Sequence, residues 1–130
     1  MKVNEIAKEI HELAKLKGWY DSERKALELH LLMVSELAEA TEEVRQKNPP
    51  IYLKTKDGSI AFHPNPFQQS YFEAVKDGQN KPEGELIELA DCVIRVFDYV
   101  ASKGWDMEYA IKLKHEYNKS RPYRHGGKSV

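Results

Sequence analysis

Apolar residues recur at helical spacing in four stretches of the chain. Val3, Ile6, Ala7, Ile10, Leu13 and Ala14 fall three and four apart, which predicts an amphipathic helix over residues 2–17 that Gly18 ends. A second helix is predicted over 22–47, with Asp21 or Ser22 as its N-cap and Asn48-Pro49-Pro50 as its stop. A third runs from Glu85 to Ser102 and ends at Gly104. A fourth runs from Met107 to Ser120, with Asp106 capping its start and Pro122 closing it. The fold class that follows is all-α, with four helices and a long insert.

The insert, residues 49–83, breaks the helical period and is rich in Pro, Gly, Asn and aromatics. Residues 51–55 and 59–62 flank Lys56-Asp57-Gly58, a pattern that predicts a small β-hairpin. Phe67 to Val75 reads as one or two helical turns. Its aromatics, Tyr52, Phe62, Phe67, Tyr71 and Phe72, suit either a lid or an anchor onto the helices, since a loop this long in a compact domain usually serves a site or a contact surface. The pattern places one domain over 1–122 and a basic, Gly-containing tail over 123–130, expected to be mobile without a ligand.

Composition narrows the class. With 130 residues, 32% charged and 41% hydrophobic, the chain has the make-up of an ordinary folded domain rather than a disordered one. A net charge of −1 argues against nucleic acid or an anionic membrane as partner. The single cysteine, Cys92, excludes an internal disulfide and fits a reducing compartment, and no signal-peptide or spanning stretch is evident; a cytoplasmic protein is expected.

Charge placed on the predicted helices changes the picture further. Glu36 and Glu39, and then Glu88 and Asp91, are i,i+3 pairs, so the two carboxylates of each pair share one side of a helix. An ExxE pair alone usually lies on a solvated face. Glu36, however, shares its direction with Leu29, Leu32, Met33 and Ala40, so its carboxylate rises from the apolar stripe and needs a cation, a proton or a tight partner. Glu39 and Glu43 flank it. On the third helix Leu86, Ile87, Leu89, Ala90, Val93, Ile94, Val96, Phe97, Val100 and Ala101 cover about half the circumference. The remainder is a polar stripe of Glu85, Glu88, Asp91, Arg95, Asp98 and Tyr99. Two readings compete for it: a solvated face with an intrahelical Asp91–Arg95 pair, or a stripe that looks across at Glu36. In the second case four carboxylates converge, and oxygen-only ligands suit Mg²⁺, with Mn²⁺ as a substitute.

The fourth helix carries cations in register. Its predicted inner face, Met107, Ala110 and Ile111, continues as Lys114, Asn118 and Arg121, and Arg124, His125 and Lys128 extend the row into the tail. Such a row suits a triphosphate, although snorkelling explains Lys114 equally. No P-loop glycine pattern is present. Trp19 is either a stacking platform for a base or a core or interface aromatic. His11 and His30 read as packing or interface residues, and Cys92 as a packing residue with no catalytic role.

The order helix with ExxE, helix with ExxD, then a Lys/Asn/Arg helix resembles the MazG-like all-α nucleoside triphosphate pyrophosphatases, most specifically in KPEGELIELADCVIRVFDYV and NKSRPYRHGGK. The resemblance implies a helical bundle that assembles as a homodimer or homotetramer. It also implies Mg²⁺ held by Glu36, Glu39, Glu88 and Asp91, with Glu36 or Glu39 activating water. Lys114, Asn118, Arg121, Arg124 and Lys128 would bind the phosphates of a nucleoside triphosphate that is cleaved to the monophosphate and pyrophosphate. Asp98 is a candidate for a further or supporting ligand. The sequence departs from the family pattern at Ser35, where a first acidic residue is usual, and in its long insert. A nucleotide- or metal-binding protein without turnover, a structural helical module, and a relative acting on phosphoribosyl-ATP are the alternatives.

Overall fold

A computed structural model of the chain describes residues 2–61, 69–76, 78 and 80–129. The elements in order are α1 (Val3–Leu16), α2 (Ala26–Arg45), β1 (Tyr52–Thr55), β2 (Ile60–Ala61), α3 (Gln69–Val75), β3 (Asn80–Glu83), α4 (Glu85–Ser102), α5 (Met107–Ser120) and α6 (Arg124–Gly127). The protein is thus mostly helical with one small antiparallel sheet. No helix among the described residues is long and apolar enough to cross a membrane.

Two compact units divide the chain. The terminal unit takes Met1–Glu23 and Phe97–Val130, and the central unit takes Arg24–Val96. In the terminal unit α1 packs on α5, and each start serves the other. Val3 N donates to Glu108 Oε1 at 2.9 Å, and Asn4 Nδ2 donates to Asp106 Oδ1 at 2.8 Å while its Oδ1 accepts from Glu108 N at 3.1 Å. Asp106 also caps α5 as expected, accepting from Tyr109 N at 2.9 Å. Helix α1 has no cap of its own, so Glu108 satisfies a donor that the helix start leaves unpaired. The tail, expected to be mobile, forms the single turn α6.

Three helices end alike. Behind α1, α2 and α4 the chain turns through a left-handed residue, Gly18 (φ 86), Lys47 (φ 58) and Gly104 (φ 70). Each of these donates back to the helix, as does the residue after it (Trp19 N to Ala14 O at 3.1 Å, Asn48 N to Glu43 O at 3.2 Å, Trp105 N to Val100 O at 3.2 Å). Helix α2 therefore stops before the Pro pair. Its start is also later than expected: Lys25 is the N-cap, without a side-chain bond, and Asp21 and Ser22 do not serve.

In the central unit the expected hairpin is present as β1 and β2, and the expected helical turns appear as α3. Phe62 and Phe67 lie outside the described residues. The third strand was not expected, since Asn80-Lys81-Pro82-Glu83 has little strand propensity. It pairs with β1, giving the order β2-β1-β3, with Tyr52 opposite Glu83 and Lys54 opposite Lys81. The sheet is tied to α2 through Tyr52, whose hydroxyl donates to Glu43, and through Asn48, whose Nδ2 donates to Glu43 Oε2 at 2.8 Å. Gly84 joins β3 to α4 at φ 121, and a Cβ there would come within 2.2 Å of the Pro50 carbonyl oxygen. Only glycine fits this approach, which also lets Leu86 N reach Pro50 O at 3.1 Å.

Candidate metal centre

Helix α4 departs in part from a simple amphipathic reading: Ile87, Val96, Phe97, Val100 and Ala101 of its apolar arc are half-buried, but the rest of the arc is not. Leu86, Leu89, Ala90, Val93 and Ile94 are exposed, while the polar stripe of Glu85, Glu88, Asp91 and Arg95 points inward. Of the two competing readings, the stripe that faces Glu36 is the one observed. Ligand atoms of Glu36, Glu88 and Asp91 all lie within 4.8 Å of one another. Glu36 and Glu88 are buried, at 6% and 8% exposure, in a unit whose buried apolar side chains are few: Leu29, Ala40, Tyr52 and Leu53 among the described residues.

Arg95 does not form the intrahelical pair with Asp91. Its Nε donates to Glu36 Oε1 at 2.8 Å. That guanidinium is the tight partner Glu36 required. Burial by itself would raise the Glu36 carboxyl, but Arg95, with the nearby Glu39, outweighs it and holds the group below the usual carboxylate range. Glu88 has no such donor. Its Oε2 is buried without a hydrogen-bond partner. Burial first, then the carboxylates of Glu39, Glu36 and Asp91, push it up to about 8. Asp91 is raised as well, by burial and by the charge of Glu36.

A buried carboxylate oxygen without a hydrogen-bond donor is unfavourable unless a proton or a cation joins it. The donor set is all oxygen and carries several negative charges, which fits a hard divalent ion such as Mg²⁺ or Mn²⁺.

Glu39 is exposed on α2, close enough to Glu88 to act on it, but is not one of the three convergent ligands. Ser35, in the place of the first acidic residue, is exposed and donates to Leu32 O at 2.6 Å. Asp98, considered as a further ligand, belongs to the terminal unit with both oxygens engaged. His11 Nδ1 lies 2.9 Å from Oδ1, and Tyr20 donates to Oδ2 at 2.9 Å. Lys114, Asn118 and Arg121 also belong to the terminal unit. Lys114 and Arg121 lie over the Tyr117 ring, at 4.8 and 5.6 Å from its centroid, so the aromatic already shares their charge. Ala110, expected on the inner face of α5, is exposed. Arg124 stacks on Tyr123, Lys128 is exposed, and Trp19 is 61% exposed.

Sequence reasoning missed one neighbour of the centre. A groove of about 290 Å³ is lined by Lys54, Thr55, Lys56, Gly78, Lys81 and Glu83. Lys81 is near enough to Glu88 and Asp91 to feel their charge. Its signal is the register of β1 with β3, which a two-strand hairpin reading of the insert does not contain.

No family model matches the sequence, and no curated protein or solved structure matches it significantly.

Proposed function

We propose that the protein is a Mg²⁺-dependent nucleoside triphosphate pyrophosphohydrolase of the MazG-like kind. The observation that carries the reading is the convergence of Glu36, Glu88 and Asp91 with a buried, unpartnered Glu88 oxygen at its centre. A divalent ion bound there supplies positive charge to phosphate oxygens and acidifies a water.

The chain's own groups then divide the work. Arg95 keeps Glu36 ionised and fixed. Glu39, exposed one turn along α2 and not tied to an arginine, accepts the proton of the attacking water. The water oxygen bonds to phosphorus as the bridging α–β P–O bond breaks, giving the monophosphate and pyrophosphate. The groove with Lys54, Lys56 and Lys81 offers charge to the phosphates in the central unit. On α5, Lys114, Asn118 and Arg121 are proposed to do so for the terminal unit. Replacing Lys54 or Lys114 by Ala is expected to raise KM more than it lowers kcat.

The exposed apolar rows Leu27, Leu31 and Val34 of α2 and Leu89, Val93 and Ile94 of α4 support assembly of identical copies, as a dimer or tetramer. A monomeric mass in solution at micromolar concentration would contradict that assembly.

The deciding experiment incubates the protein with Mg²⁺ and a panel of standard and modified nucleoside triphosphates, and measures pyrophosphate with product identification. Release from at least one of them, lost in Glu39→Gln and Asp91→Asn, is expected. Stabilisation by Mg²⁺ without any release would instead establish a binding protein without turnover, and neither effect would leave a structural module.

A further inference from the structure

We infer that Glu43, Glu83 and Glu88 form a second divalent-cation site, joined to the first through Glu88. The inference rests on the cation-binding reading above and extends it to residues outside the two acidic motifs.

Ligand atoms of these three carboxylates also lie within 4.8 Å of one another. They come from α2, from the end of β3 and from α4, all in the central unit. Glu88 is common to both triads. An acidic cluster alone would mean little, since charged groups gather on many surfaces. The distinguishing fact is how hydrogen bonds are distributed among the members.

Three of the four flanking carboxylates, Glu36, Glu43 and Glu83, are each oriented by a donor. Glu36 accepts from Arg95 Nε at 2.8 Å. Glu43 accepts from Tyr52 Oη at 2.9 and 3.0 Å and from Asn48 Nδ2 at 2.8 Å. Glu83 pairs with Lys81 Nζ at 3.1 Å. Glu88, the shared member, is 8% exposed, and its Oε2 is buried with no hydrogen-bond donor.

Ligand carboxylates in metal sites are held by outer hydrogen bonds that leave their inner lone pairs for the ion. A carboxylate that bridges two ions needs no such donor, because the ions are its partners. The arrangement here has that form, with Glu36, Glu43 and Glu83 oriented by donors and the shared Glu88 oxygen bare. Two ions joined by one carboxylate also suit phosphoryl chemistry, where one favours the attacking oxygen and the other the leaving oxygen.

The insert thereby gains a role. Tyr52 and Glu83 face each other across the β1–β3 ladder, so strand register fixes both the ligand and the hydroxyl that orients Glu43. Gly84 then turns the chain so that Glu83 and Glu88 approach the same space.

The test titrates nucleotide-free protein with Mn²⁺ and counts free ion by its electron paramagnetic resonance signal, with circular dichroism melts to confirm folding. Wild type is expected to bind two Mn²⁺ per chain. Glu83→Gln and Asp91→Asn should each bind one, and Glu88→Gln none tightly. Tyr52→Phe, which keeps the ring and removes only the hydroxyl, should weaken one of two sites roughly 10-fold or more. If Glu83→Gln and Tyr52→Phe bind Mn²⁺ as wild type does while Asp91→Asn loses an ion, the second site is overturned and the proposed activity stands. One ion per wild-type chain, lost in Asp91→Asn, has the same meaning. No binding by folded wild type overturns both.

Discussion

Two of the carboxylates on helix α4, Asp98 and Glu88, have opposite fates. Asp98, in the terminal unit, has a donor for each oxygen: the His11 ring at Oδ1 and the Tyr20 hydroxyl at Oδ2, with the two rings themselves packed edge to face at 4.7 Å between centroids. Glu88, in the central unit, converges with other carboxylates and has a buried oxygen with no hydrogen-bond donor. Both groups are shielded from water, yet the first is complete as it stands and the second is complete only with a proton or a cation. Burial of a charge therefore does not mark a site; burial without donors does.

Replacing Glu88 by Gln should separate the two most sharply. Pyrophosphate release and stabilisation by Mg²⁺ are expected to fall by more than the ~100-fold that follows loss of an outer hydrogen-bond partner, while the metal-free protein keeps or gains thermal stability. A Glu88→Gln enzyme with near wild-type turnover would erase the distinction. Arg95→Met leaves Glu36 buried and unpaired, so the metal-free protein should lose about 3 kcal/mol in denaturant unfolding, with part of the loss recovered in Mg²⁺. Asp98→Asn should cost about 1–3 kcal/mol through its unmatched hydrogen bonds and leave the shift produced by Mg²⁺ unchanged. A changed metal response in that variant would make Asp98 part of the centre after all.

The pH dependence sharpens the same contrast. Folded Glu88 keeps its proton up to about 8, whereas an ordinary glutamate gives it up near 4.5. Between those values the folded state binds more protons than the unfolded one, so this group's contribution to stability falls as pH rises through the window. Melts of the metal-free protein from pH 5 to 8 should show a decline that Glu88→Gln reduces and saturating Mg²⁺ removes. The smallest effect belongs to Lys47, which occupies the left-handed position that glycine holds behind α1 and α4. Lys47→Gly should add about 1 kcal/mol, measured as a rise in the denaturation midpoint.

Much of this was legible in the residues. The bounds of α4 and α5, the Asp106 cap and the turn at Gly18 follow from local chemistry. The convergence of Glu36 with Glu88 and Asp91 also followed, from a carboxylate rising out of an apolar stripe. What could not be read locally depends on distant partners. The Asp91–Arg95 spacing fits an intrahelical pair, and only the approach of Glu36 from α2 draws Arg95 away from it. Strand β3 carries a proline and no β-branched residue, so its pairing with β1 is decided by the register of Tyr52 with Glu83 rather than by propensity. The exposure of part of the apolar arc of α4 is a further departure, since helical periodicity alone turns that whole arc inward.

The β1–β3 ladder has a bearing on how this chain tolerates change. Closing a loop between two strands costs free energy that grows only with the logarithm of its length. Residues added or removed between β1 and β3 are therefore cheap so long as the same pairs meet. A slip of one residue in either strand is a different event, since alternate side chains point to opposite faces. It would carry Glu83 to the far side of the sheet and draw Tyr52 away from Glu43. The length of the insert can thus change at little cost, whereas the parity of its strands cannot.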